Sequence, residues 1–133
     1  MKGELDEESR IALIHYRFQR ADLTLKEALI MNDAGHYNAA INRLYYACYY
    51  AVVAALLSKE ITTMTHAGVK TMFNLHFIAS GILPREFGKT FSRLFELRHS
   101  GDYDDFIYCD KEMVEEYSPK AKKFIEAIKA TIC

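Results

Sequence analysis

Apolar residues recur every three or four positions through almost the whole chain, and only two prolines interrupt the pattern. Ile11, Ile14, Phe18, Ala21, Leu25 and Ala28 form one stripe, which predicts a first helix from about Glu7 to Asn32 with Gly35 as its stop. A second helix is expected from about Tyr37 to Lys59. Its main stripe is Ile41, Leu44, Tyr45, Cys48, Val52, Ala55 and Leu56, and Tyr46, Tyr49, Tyr50 and Val53 widen the apolar surface to a second face. A helix apolar on two faces needs two partners, either other helices of a bundle or another subunit.

Thr62 to Thr65 reads as a connector, with Thr65 as N-cap of a third helix from about His66 to Ala79 that buries Val69, Met72, Phe73 and Phe77. Ser80 to Pro84 is a turn. A fourth helix then starts near Pro84 and carries Phe87, Phe91, Leu94 and Phe95 towards His99, with the polar cluster at Gly101 ending it. Asp110 can cap a fifth helix whose stripe runs Val114, Tyr117, Ala121, Phe124, Ile125, Ile128 and Ile132. Pro119 falls inside it and is expected to kink or restart it. The pattern predicts an all-α fold, an up-and-down antiparallel bundle of four to five helices, as a single domain over residues 1–133.

The 133 residues, half of them apolar, suffice for one core and leave no room for a second. Seventeen basic against eighteen acidic residues give a formal charge of −1, which argues against a broad electrostatic nucleic-acid surface but leaves room for a local basic site. Cys48, Cys109 and Cys133 make no disulfide framework, and neither they nor His15, His36, His66 and His76 show metal-ligand spacing, so no metal or cofactor is expected. His66, just after the cap, reads as a packing or capping residue. The charged stretch Met1 to Arg10 lacks the apolar core of a secretion signal, and Leu44 to Leu57 is shorter than the ~20 residues that span a bilayer. A cytoplasmic protein with no membrane contact is the expectation.

Candidate chemistry gathers in Arg98-His99-Ser100-Gly101-Asp102-Tyr103-Asp104-Asp105, and in Asn42 and Arg43, polar residues within an otherwise buried segment. Arg98 can hold two phosphate oxygens at once. His99 is an acid-base group if its ring points into the same cleft, and Asp102 can orient either of them. Tyr103 is a poor base, because a free phenol ionises near pH ~10. The plain alternative is an Arg98–Asp102 ion pair at i,i+4, with Tyr103 closing the end of the bundle. Arg43 either pairs with a carboxylate of another helix or lines the same site as Arg98. The tyrosines of the second helix either stack a base or form core and dimer interface.

Three segments carry a resemblance: Asn38-Ala39-Ala40-Ile41-Asn42-Arg43-Leu44-Tyr45-Tyr46-Ala47, Thr65-His66-Ala67-Gly68-Val69, and Leu97-Arg98-His99-Ser100-Gly101-Asp102-Tyr103. Their order and separation resemble the HEPN domain family, whose name refers to nucleotide binding in higher eukaryotes and prokaryotes. The resemblance implies a compact helical homodimer, often encoded beside a small nucleotidyltransferase, with many members acting as metal-independent ribonucleases in toxin-antitoxin or defence systems. Those nucleases carry Arg, four to six residues, then His. Here, after four intervening residues, Arg98 is followed by Tyr103, and the Arg93-to-His99 spacing lies within the helical repeat, so the chain is closest to the branch with Asp-Tyr at this place. The resemblance implies a nucleotide- or RNA-binding domain with Asn42, Arg43, Arg98, Asp102 and Tyr103 at the ligand. A metal-independent endoribonuclease using Arg98 with His99 or Tyr103, and a non-catalytic dimeric interaction module, remain the alternatives. Under the paired-system reading, the Tyr103 hydroxyl is also a candidate acceptor of a nucleotidyl group.

Overall fold

The computed structural model describes residues 5–103 and 109–132, with side chains described outside 99–103. Five α-helices follow one another: α1 Glu7–Asp33, α2 Tyr37–Ser58, α3 His66–Phe73, α4 Arg85–Tyr103 and α5 Lys111–Ile132. No strand occurs among the described residues. The chain is an all-α bundle, as the periodicity predicts, and α2 is its central element, packed against all four other helices.

Composition makes that central position possible. Ala40, Ala47, Ala51, Ala54 and Ala55 are completely buried on α2 and let neighbouring helices approach closely, while Ile41, Leu44, Tyr45 and Val52 fill the spaces between them. By length and mean hydropathy α2 could cross a bilayer, but 61% of its most apolar window is buried against the other helices. The main stripe of α2 thus finds its partners within the bundle, while Tyr46, Tyr49, Tyr50 and Val53 of its second face are only partly buried. At the far side Phe73, Phe91 and Phe124, from α3, α4 and α5, pack with ring centroids 5.5 to 5.7 Å apart and join the three helices.

Local signals set most of the boundaries. The Asp6 carboxylate accepts from the Ser9 N–H at 2.6 Å, the Thr65 hydroxyl from the Gly68 N–H at 2.9 Å and the Asp110 carboxylate from the Met113 N–H at 2.9 Å, so α1, α3 and α5 each begin on a side-chain cap. Gly35 takes φ 81° in the turn between α1 and α2, a conformation that costs any residue with a Cβ. Lys129 ties α5 to Asp22 of α1 at 2.7 Å, and the Cys109 N–H donates to Asn38 Oδ1 at 2.6 Å, fastening the approach to α5 onto the start of α2.

Four sequence expectations need correction. The third helix does not run as an α-helix to Ala79: from Asn74 to Ile78 it widens into a π-helical turn, and Leu83 N–H then bonds the Phe77 carbonyl. The fourth helix does not stop at Gly101 but continues to Tyr103, because an isolated glycine costs a helix only about 1 kcal/mol. Pro119 does not restart α5, which is one helix through it. Pro119 and Glu115, whose carbonyl loses its N–H partner, both lie on the exposed side, open to solvent. On α1, Ile11 is 46% exposed while Thr24 takes a fully buried place in the stripe.

Candidate functional site

Tyr45 is the hub of the polar crevice. It projects from α2 with no exposed surface, its ring stacked on Phe91 at 5.6 Å and met edge-on by Tyr46 at 5.1 Å and Phe95 at 6.1 Å. A phenol so enclosed needs a partner for its hydroxyl. It finds one in His66, the first residue of α3, whose Nδ1 lies 2.8 Å away. The His66 ring is itself packed against Tyr49 at 4.7 Å and Tyr46 at 5.7 Å. Burial pushes the Tyr45 phenol well above its ordinary range, and the nearby Arg98 charge, acting in the opposite direction, does not cancel the effect. Tyr49 is raised for the same reason, with Arg17 opposing. Both phenols therefore stay protonated near neutral pH.

Arg98 closes the crevice from α4. Its guanidinium carbon lies 5.2 Å from the Tyr45 ring centre and 5.1 Å from that of Phe95, within the range of cation–π attraction. Its Nε is buried and has no acceptor among the described residues. A buried guanidinium nitrogen without an acceptor is an unmet donor, costly unless an anion or water completes it. Arg43 occupies the rim: it lies 5.1 Å over the Tyr46 ring, bonds Asn42 Oδ1 at 2.9 Å and faces Glu27 of α1 at 3.6 Å. Arg43 thus has the carboxylate partner that the sequence allowed, and through Tyr46 it also touches the aromatic group around Tyr45.

A sequence model of the HEPN domain family matches residues 14–131. The chain belongs to the HEPN family. A UPF0332 protein of Thermotoga maritima is 36% identical over 120 residues, covering 90% of this chain and 91% of the relative. Two proteins of Methanocaldococcus jannaschii named as candidate toxins are 32% and 30% identical, each over 84% of this chain and over 76% and 83% of their own lengths. The crystal structure of TT1696 from Thermus thermophilus shares the fold with a TM-score of 0.75 at 15% identity, over 89% of this chain and 97% of that one.

Within this HEPN domain the site residues named from sequence divide into two sets. Arg98, Arg43 and Asn42 lie around one aromatic group, Arg98 at its base and the other two on its rim. The α4 backbone carries His99, Asp102 and Tyr103, but their side chains lie outside the described residues, as do Asp104 and Asp105. Sequence reasoning missed the pairing of Tyr45 with His66. They stand 21 positions apart on different helices, and the one local signal was the Thr65 cap, which fixes where α3 begins and hence where His66 points. It also passed over Arg17, which periodicity counts merely as a polar residue beside the α1 stripe.

As chemistry, the crevice joins a permanent cation on an aromatic platform to a phenol–imidazole hydrogen bond. The guanidinium can hold an anion, and the phenol keeps the imidazole in one orientation. A separate cleft of about 200 Å³ between α4 and α5, lined by Glu86, Thr90, Tyr117 and Lys120 among others, contains none of the candidate site residues named from sequence.

Proposed function

We propose that this HEPN domain binds a nucleotide or single-stranded RNA segment at the Arg98–Tyr45–His66 crevice, as the toxin-like member of a two-component system whose partner is a small nucleotidyltransferase. The observation that carries this reading is the buried Arg98 Nε, held against Tyr45 and Phe95 with no acceptor among the described residues. The toxin names of two relatives support the biological setting. A homodimer would set two such crevices side by side, as the family resemblance implies.

The second reading is metal-independent RNA cleavage, with Arg98 holding the phosphate and His99 or Tyr103 completing the chemistry. What favours it is the His66 imidazole fixed beside the Arg98 platform, since cleavage needs a proton carrier as well as a cation. One experiment addresses both readings: binding and cleavage of a mixed single-stranded RNA in EDTA, by wild type and by Arg98→Gln. Binding weakened about tenfold or more in the variant, with melting temperature little changed, is the expected result, because a hydrogen bond to a charged group contributes roughly 1.5–3 kcal/mol. Equal binding by both proteins would overturn the assignment. Cleavage lost in the variant would make the second reading the correct one. Absence of a nucleotidyltransferase gene beside this one would remove that partner.

A further inference from the structure

The Arg98 nitrogen is not the only buried guanidinium donor left unmet. Arg17 of α1 also has a buried Nε with no acceptor among the described residues. On the same side of the bundle, Arg10 is met by Glu7 and Glu60, and Arg43 by Glu27. Arg17 has no such carboxylate among the described residues. It lines a cleft of about 140 Å³ together with Thr62, Thr63 and six aliphatic residues, Val53 and Val69 among them.

Helix register relates that cleft to the crevice described above. Val53 lies four residues after Tyr49 on α2, and Val69 lies three after His66 on α3, so each stands one turn further along the same face. Tyr49 and His66 pack together, hence the Arg17 cleft continues the Tyr45–His66 crevice by one helical turn. The Arg17 charge also acts on the Tyr49 hydroxyl, as the Arg98 charge acts on that of Tyr45. Arg98 therefore lies at the Tyr45 end, and the Arg17 charge acts at the Tyr49 end, of an aromatic row whose two ring centres are 6.0 Å apart.

We propose that Arg17 is a second anion-binding residue of this site, so that one ligand with two neighbouring phosphates is held by Arg98 and Arg17 together. The proposal rests on phosphate binding at Arg98. It adds that the ligand is a nucleoside diphosphate or an oligonucleotide and not a mononucleotide, and that Thr62 and Thr63 offer hydroxyls beside the second phosphate. Both donors at the ends of the row are then satisfied by one molecule.

The test measures binding of AMP, ADP and a six-nucleotide oligoadenylate to wild type, Arg17→Gln, Arg17→Lys and Arg98→Gln. Arg98→Gln is expected to weaken all three. Arg17→Gln is expected to leave AMP unchanged and to weaken ADP or the hexamer about tenfold, the responding ligand showing where the paired phosphates come from. For the hexamer the slope of log affinity against log salt should fall by about 0.7, the release from one single-strand phosphate, and Arg17→Lys should restore it. Wild-type binding of ADP and hexamer with no response to Arg17→Gln overturns the role of Arg17 and leaves Arg98 standing. Absence of binding by wild type overturns the site as a whole. Should Arg17→Gln lower the melting temperature, Arg17→Lys decides: a slope not restored by a folded Lys variant also refutes the proposal.

Discussion

Replacing Tyr45 with Phe removes one oxygen from the centre of the site and leaves the ring in place. That ring has the packing of a core residue, against Phe91, Phe95, Tyr46 and the Arg98 guanidinium, and all of those contacts survive in Phe. What is lost is the 2.8 Å hydrogen bond to His66 Nδ1. A net hydrogen bond contributes about 0.5–1.5 kcal/mol, so a loss of about 1 kcal/mol is expected. For a domain of this size that corresponds to a fall in melting temperature of roughly 3–8 °C. Thermal denaturation of wild type, Tyr45→Phe, His66→Ala and the double variant, read as a cycle, should give a coupling energy of about 0.5–1.5 kcal/mol. Because Arg98 keeps its platform, RNA binding by Tyr45→Phe should change by less than tenfold, while Tyr45→Ala should lose both stability and binding. A coupling energy near zero, with the two single variants strictly additive, would refute the assignment of Tyr45 and His66 as a bonded pair. Binding lost as completely in Tyr45→Phe as in Arg98→Gln would refute the view that the ring, and not the hydroxyl, positions the cation.

Phe124→Ala, at the meeting point of Phe73, Phe87 and Phe91, should destabilise the domain by about 3–5 kcal/mol in denaturant titration; a loss below about 1 kcal/mol would mean that the aromatic cluster does not join α3, α4 and α5. Thr65→Ala should lose about 1 kcal/mol through its cap, and Thr65→Ser most of an order less; equal losses would point away from the hydroxyl. Burial holds the Cys48 thiol and the Tyr45 and Tyr49 phenols above their ordinary ranges, whereas in the unfolded chain a thiol ionises near pH ~8.5 and a phenol near ~10. Above those values the unfolded chain has released protons that the folded one keeps, so stability contributed by these groups is complete at neutral pH and declines as pH rises. A melting temperature that falls from about pH 9 upward is expected, and one that rises between pH 9 and 11 would contradict it.

The helices were legible because their information is local. Asp110 and Thr65 cap where the sequence placed them, Gly35 turns the chain with positive φ, and every residue of the main α2 stripe is buried. The errors arose where tertiary packing overrides local preference. A π-helical turn has a wider period than the 3.6 used to read the sequence, so the stripe Val69, Phe73, Phe77 looks α-helical whether or not the backbone widens at Asn74. Gly101 looked like a stop because glycine often ends helices, yet its cost within one is small enough for the rest of α4 to outweigh. Ile11 fitted the apolar stripe by spacing alone, but a position near the start of a 27-residue helix that outruns its neighbours has less to pack against.

The candidate site was legible in kind but not in arrangement. Arg98 and Arg43 could be singled out because a charged residue in an apolar segment must find a partner. Which partner it finds depends on the approach of other helices, and that is a property of the folded chain. Arg43 finds Glu27, so its charge is largely accounted for by a neighbour in its own fold. Among the described residues Arg98 finds aromatic faces, which attract a cation without taking up its hydrogen bonds.

This difference gives a physical meaning to the near-neutral charge of the whole chain. With a formal charge of −1, the protein generates little long-range attraction for a polyanion, so affinity has to come from a few contacts made out of water. A guanidinium suits that task better than an ammonium: it stays protonated on an apolar platform, is more weakly hydrated, and presents a planar fork to phosphate. Seating it on Tyr45 and Phe95 fixes its direction before any ligand arrives, so less of the binding energy is lost to ordering the side chain. The neighbouring phenol, kept neutral by burial, adds no competing negative charge. A site of this construction should show a shallow salt dependence, set by one or two phosphates and not by a basic surface, and that is the property by which it differs from proteins that bind nucleic acid through net charge.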